Sequence, residues 1–167
     1  MSIKIEDIMI RDVLTADVSE NVLSATIKMN EREVGSIIIL DGKKPVGILT
    51  ERDILKRIVV ERRDPEKTKV EEVMSAPLIS AKPEMSLDDA VKIMILKRVK
   101  KLPILKNDKL VGIITLFDVV RLKPITMNIL KSYETKEVPK SIEKYVTKIK
   151  GKPSEYEKHL KKRIPVK

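Results

Sequence analysis

The sequence predicts an α+β fold: two pseudo-symmetric β-α-β-β-α repeats packed as one module, with a basic, partly helical C-terminal extension. Three observations carry that prediction. The chain of 167 residues contains an ungapped internal repeat. Strand-like and helix-like periodicities alternate in the same order within each copy. The repeat then stops at Leu122, just before Lys123-Pro124.

The repeat aligns Ile5–Lys56 with Val70–Arg121 at an offset of 65. Met9/Met74, Ala25/Ala90, Met29/Met94, Gly47/Gly112, Thr50/Thr115 and Asp53/Asp118 are identical pairs. A solenoid needs about three repeats to bury its faces, so two copies point to a pseudo-symmetric pair. The boundaries expected are 1–62 for repeat 1, 63–69 for a charged, Pro-containing linker, 70–123 for repeat 2 and 124–167 for the extension.

Each copy opens on a short strand, expected at Val13–Ala16 and Leu78–Ala81. Asn21 and Ser86 are N-cap residue types and set the start of the first helix. Val22, Ala25 and Met29 form one apolar stripe at helical spacing, and Leu87, Ala90, Val91 and Met94 form its counterpart. Two strands follow in each copy, "SIIIL" then "PVGIL" and "LPIL" then "LVGII", each pair joined by a turn of Asp, Asn, Gly and Lys. Gly47 and Gly112 inside these strands suggest a bulge or a close backbone approach, which suits packing and a bound ligand equally. A second helix begins at the repeated motif "VGILTERD" or "VGIITLFD".

Composition narrows the classes of function. There is no cysteine, so disulfides and thiolate metal sites are excluded. No apolar run exceeds about four residues, against the roughly 20 of a membrane span. The charged N-terminus lacks the apolar segment of a signal peptide. A cytoplasmic location is therefore expected. The net charge is +10 with a pI near 9.7, but the charges up to Val120 nearly balance and the excess lies beyond Arg121. Tyr133, Tyr145 and Tyr156 interleave with lysines there, a pattern suited either to nucleic-acid binding or to a helix covering the module. Short helices are expected at Ser141–Ile149 and Ser154–Leu160. His159 is the only histidine and has no neighbouring ligand type, so no metal site is expected. Phosphate loops, nucleophile elbows and zinc-protease motifs are all missing, so a binding module is expected and not an enzyme.

The motif itself has two physical readings. Thr50-x-x-Asp53 and Thr115-x-x-Asp118 each fit a capping box, in which the side chains serve the helix's own N–H groups. The same residues suit a nucleotide, because a helix N-terminus favours phosphate and a carboxylate accepts ribose hydroxyls. Spacing alone leaves both open. Arg52 beside Asp53 adds a cation in copy one, where copy two has Leu116-Phe117.

Taken with "VMSAPLISAKPEMSLDDAVKIM" and "KKLPIL", the duplicated G-I-x-T-x-x-D ending resembles a tandem pair of CBS domains, a Bateman module. The resemblance covers roughly Ile5–Arg121 and leaves the extension uncovered. It implies a regulatory module, a homodimer, and adenosine-type ligands (AMP, ADP, ATP or S-adenosylmethionine) held between the copies, with an effector protein as partner. By position, one cleft uses Ile48, Thr50, Arg52 and Asp53 with Ser80, Ala81, Lys101, Leu102 and Pro103. The other uses Ile113, Thr115 and Asp118 with Thr15, Ala16, Ser36 and Ile37. In this resemblance the Asp accepts the ribose hydroxyls and the Thr contacts phosphate. The Asp53 cleft, with Arg52 and Lys101, is expected to prefer the more phosphorylated ligand. The alternatives are nucleic-acid binding through the extension and a dimeric scaffold with empty clefts.

Overall fold

The computed structural model describes residues 3–122. The extension, with His159, its three tyrosines and its expected helices, lies outside the described residues.

Repeat 1 runs β1 (Thr15–Asp17), α1 (Val22–Glu31), β2 (Ser36–Asp41), β3 (Lys44–Thr50) and α2 (Glu51–Ile54). Beyond α2 the helix widens into a π turn, Leu55–Val59, closed by Val60 N–H on Leu55 O at 3.0 Å. A short α3 (Val70–Val73) precedes repeat 2, which continues with α4 (Leu87–Lys97), β4 (Lys101–Lys106), β5 (Lys109–Thr115) and α5 (Leu116–Leu122). β1 pairs parallel with β2, and β2 antiparallel with β3. In repeat 2 the expected first strand is reduced to one parallel bridge, Ala81 with Ile104, beside the β4–β5 hairpin. It matches the Ala16–Ile39 pair of repeat 1, so the topology is kept while the strand is cut short.

The N-caps are those the sequence predicts: Asn21 accepts from Ser24 N–H and Ser86 from Asp89 N–H. The predicted stripes Val22/Ala25/Met29 and Leu87/Ala90/Val91/Met94 are buried.

The crossing implied for the clefts extends to the cores, where the copies exchange their opening segments. Ile5 and Met9 lie in the core of repeat 2, with Leu87, Ala90, Ile104 and Ile114. Val70 and Val73 lie in the core of repeat 1, with Val22, Ala25, Ile39 and Leu49. Matched hydrogen bonds hold the exchange. Ile5 N–H donates to Met85 O (3.0 Å) and Val70 N–H to Glu20 O (2.9 Å). Ile10 and Ile113 exchange both backbone bonds at 2.9 Å, and Ser75 and Ile48 do so at 2.8 and 3.0 Å. Neither core closes without the other copy's segment, so the two repeats form one body.

The exchange also accounts for the repeated glycines. A Cβ on Gly47 would stand 2.5 Å from Met74 Sδ, and one on Gly112 would stand 2.5 Å from Met9 Sδ. The repeated Met thus lies on the repeated Gly of the opposite copy. Both glycines also border the register shift of their hairpin, at Ile39/Leu40 and Ile104/Leu105.

Candidate functional site

Alternation along β3 and β5 buries Leu49 and Ile114, leaving Ile48, Thr50, Ile113 and Thr115 on the half-exposed side. The helix that follows each strand carries the motif carboxylate. Thr50 Oγ accepts from Asp53 N–H at 3.2 Å, while Asp53 Oδ2 accepts from Thr50 N–H (3.0 Å) and Thr50 Oγ–H (2.6 Å). In copy two the corresponding distances are 3.2, 2.8 and 2.6 Å. The capping box is therefore formed in both copies, and it engages only Oδ2 of each Asp.

The other oxygen distinguishes the copies. Asp53 Oδ1 accepts from Ser75 Oγ–H at 2.9 Å and stands 3.2 Å from Arg57 Nη1. Arg57 Nη1 also donates to Val73 O at 2.5 Å, tying the π turn to the exchanged segment. Asp53 is 8% exposed and is the one buried acidic residue among the described residues. Asp118 is half-buried, and no described residue hydrogen-bonds its Oδ1. Ile10 stands at the position of Ser75, and Leu122 at that of Arg57.

The remaining predicted residues differ in burial. Ala16, Ile37, Ala81 and Leu102 are core residues of their own repeats, so their side chains pack inward. Thr15, Ser80 and Ile113 are half-buried, while Ser36 and Pro103 are buried and Arg52 is exposed. Ser36 lies opposite Thr50 in the β2–β3 register, and Lys101 opposite Thr115 in β4–β5. Ile48 and Ile113 anchor the exchanged segments through their backbones.

Lys101 is the one among them whose side chain reaches across to the other copy, beside Gly35 and Glu51. Its Nζ would lie 3.0 Å from a Cβ on Gly35, and Glu51 Oε2 would lie 2.8 Å from that same point. Gly35 thus leaves room where the two side chains face each other at the start of α2. Partial burial pulls the Lys101 ammonium below the usual lysine range, and Glu51 acts in the opposite sense.

Ser75 and Arg57 escaped the sequence reading. Arg57 had a local signal, its i,i+4 spacing from Asp53. Ser75 had none, because its contact spans 22 residues and depends on the exchange of segments. Among the described residues no cluster of His, Asp or Glu suits a metal ion, and no helix is long and apolar enough to cross a membrane.

This arrangement has relatives. The CBS domain family matches twice, at residues 5–60 and 70–124. An uncharacterized protein of Methanopyrus kandleri is 34% identical over 125 residues, covering 74% of this chain and 64% of its own length; the chain thus spans just under two thirds of that protein. A CBS domain protein of unknown function from Thermoplasma acidophilum superposes with a TM-score of 0.69 at 27% identity, over 82% of this chain and 79% of that one. A hexameric CBS-CP12 protein from bloom-forming cyanobacteria gives a TM-score of 0.68 at 25% identity, over 77% and 75% of the two chains. With both repeats matched, their crossed pairing in place and a Thr-x-x-Asp box closing each, the chain belongs to the CBS domain family as a tandem pair.

Proposed function

We infer that the chain is a regulatory module that binds an adenosine-type ligand between its two repeats and signals through the crossed segments to a partner protein. The observation that carries this reading is the pair of motif carboxylates, each held by its own Thr at the equivalent point of two CBS repeats. Such a carboxylate accepts a ribose diol, and the half-exposed Ile48 and Ile113 offer apolar surface to a base. Lys101 supplies a cation near the Asp53 cleft for phosphate.

Self-association belongs to the same reading. Leu55 and Val120 are exposed at equivalent positions of the two repeats, and Val59, Val60 and Phe117 are exposed close to them in sequence. We assign these apolar side chains to a homodimer contact. Light scattering of the full chain is expected to give twice its 19.1 kDa mass, and Leu55→Glu with Val120→Glu is expected to return the monomer.

The ligand test is calorimetric titration with AMP, ADP, ATP and S-adenosylmethionine of the wild type and of Asp53→Ala with Asp118→Ala. Micromolar binding by the wild type, lost in the double variant, is the expected result. No heat with any of the four, on protein shown to be free of co-purified ligand by mass spectrometry, contradicts the reading.

A further inference from the structure

The two motif carboxylates are not equally available, and the difference is set by residues outside the motif. A ribose diol donates two hydroxyl hydrogens, so it needs free acceptor capacity on the carboxylate it meets. In both copies Oδ2 already accepts from the Thr N–H and hydroxyl, which leaves Oδ1 for a ligand. At Asp118, which is half-buried, Oδ1 receives no hydrogen bond from a described residue. At Asp53, Oδ1 is engaged by Ser75 Oγ at 2.9 Å and by Arg57 Nη1 at 3.2 Å, and the residue is 8% exposed.

We propose that Ser75 and Arg57 form a latch on Asp53 that makes the two clefts bind in order. A diol is taken first by Asp118, and by Asp53 only once the latch releases. The proposal rests on the adenosine-binding reading and deepens it. A ligand at Asp53 has to displace a hydroxyl and a guanidinium, the second of which gives a charge-assisted contact to a buried carboxylate. Release also frees Ser75 and the Arg57 bond to Val73 O, both on the segment that fills the core of repeat 1. Filling the Asp53 cleft is thereby coupled to the crossed segment. Filling the Asp118 cleft is not, because Ile10 and Leu122 occupy the equivalent positions and carry no such groups. The order concerns which cleft fills first, and it leaves standing the expectation that the Asp53 cleft, once open, takes the more phosphorylated ligand.

The test is calorimetric titration of the full chain with AMP, ATP and S-adenosylmethionine, using wild type, Asp118→Asn, Asp53→Asn, Ser75→Ala and Ile10→Ser. In the wild type the tighter site is lost on Asp118→Asn. Ser75→Ala removes one hydrogen bond from the latch and strengthens the Asp53 site roughly tenfold, leaving the Asp118 site in place. Ile10→Ser brings a hydroxyl to the open carboxylate and weakens the Asp118 site several-fold, on the order of one neutral hydrogen bond. Ser75→Ala and Ile10→Ser decide the matter even if a motif variant does not fold. Two equal sites, a tighter site lost on Asp53→Asn, or an Asp53 site indifferent to Ser75→Ala each overturn the latch and leave the adenosine reading standing. No binding of any of the three ligands overturns the adenosine reading, and the latch with it.

Discussion

Around Asp53, repeat 1 is closed by polar contacts: a serine from the other copy's segment, an arginine from the π turn, and a lysine from β4 nearby. Repeat 2 keeps the same capping box around Asp118 but has Ile10, Leu122 and Ser36 in sequence at the three matching positions. The symmetric parts of the molecule are those that fold it, namely the caps, the stripes, the Met-on-Gly contacts and the crossed hydrogen bonds. The asymmetric parts are the side chains set on that frame, Ser75 and Arg57 against Ile10 and Leu122, and they differ in what they leave open. The two copies thus share one frame and differ in the side chains set around its carboxylate.

The comparison breaks first where the frames depend on each other. Ile5 is fully buried in the core of repeat 2 although it belongs to the sequence of repeat 1. Ile5→Ala is expected to cost about 2–5 kcal/mol in urea unfolding, in a single transition for both repeats. If one repeat unfolds while the other keeps its midpoint, the two are not one body.

The next effect separates the copies. Arg57→Met leaves the buried Asp53 carboxylate with hydrogen bonds but without its cation, at a cost of about 1–3 kcal/mol. Equal stability of Arg57→Met and wild type in denaturant would show that the Asp53 contact is incidental.

A smaller effect is expected to be the same on both sides. Thr50→Ala and Thr115→Ala each remove a formed capping box and are each expected to cost about 1 kcal/mol by thermal melting. A marked difference between them would mean that the shared geometry hides unequal roles, with the larger loss marking the cap that carries more of the fold.

The smallest is a pH effect at Lys101. Its folded pKa lies below its unfolded value because of partial burial, so the unfolded state binds the proton more strongly. The resulting destabilisation is fully present below the folded pKa and fades as pH rises toward the ordinary lysine value. Lys101→Met is therefore expected to flatten the alkaline rise in stability, measured by melting curves across that range, while weakening binding of phosphorylated ligands. An unchanged pH profile would place the ammonium in bulk solvent.

Much of this was legible in the sequence, for physical reasons. Helix stripes, caps and hairpins are local patterns, and writing them twice at one offset fixed their order. The capping box and the ligand reading of Thr-x-x-Asp did not have to compete, since the box uses Oδ2 and leaves Oδ1 to context. Context was the illegible part. Ser75 reaches Asp53 only because the opening segments are exchanged, and no local pattern announces an exchange. The β1 equivalent in repeat 2 was over-read for a related reason. "LISA" has strand composition, but only Ala81 finds a partner in β4.

A crystal structure of the full chain, soaked in AMP at a concentration that fills one site, tests the central claim most directly. The account predicts nucleotide with its ribose on Asp118 and the contact of Ser75 Oγ with Asp53, 2.9 Å here, still made. Nucleotide seated on Asp53 with the Asp118 cleft empty would contradict it.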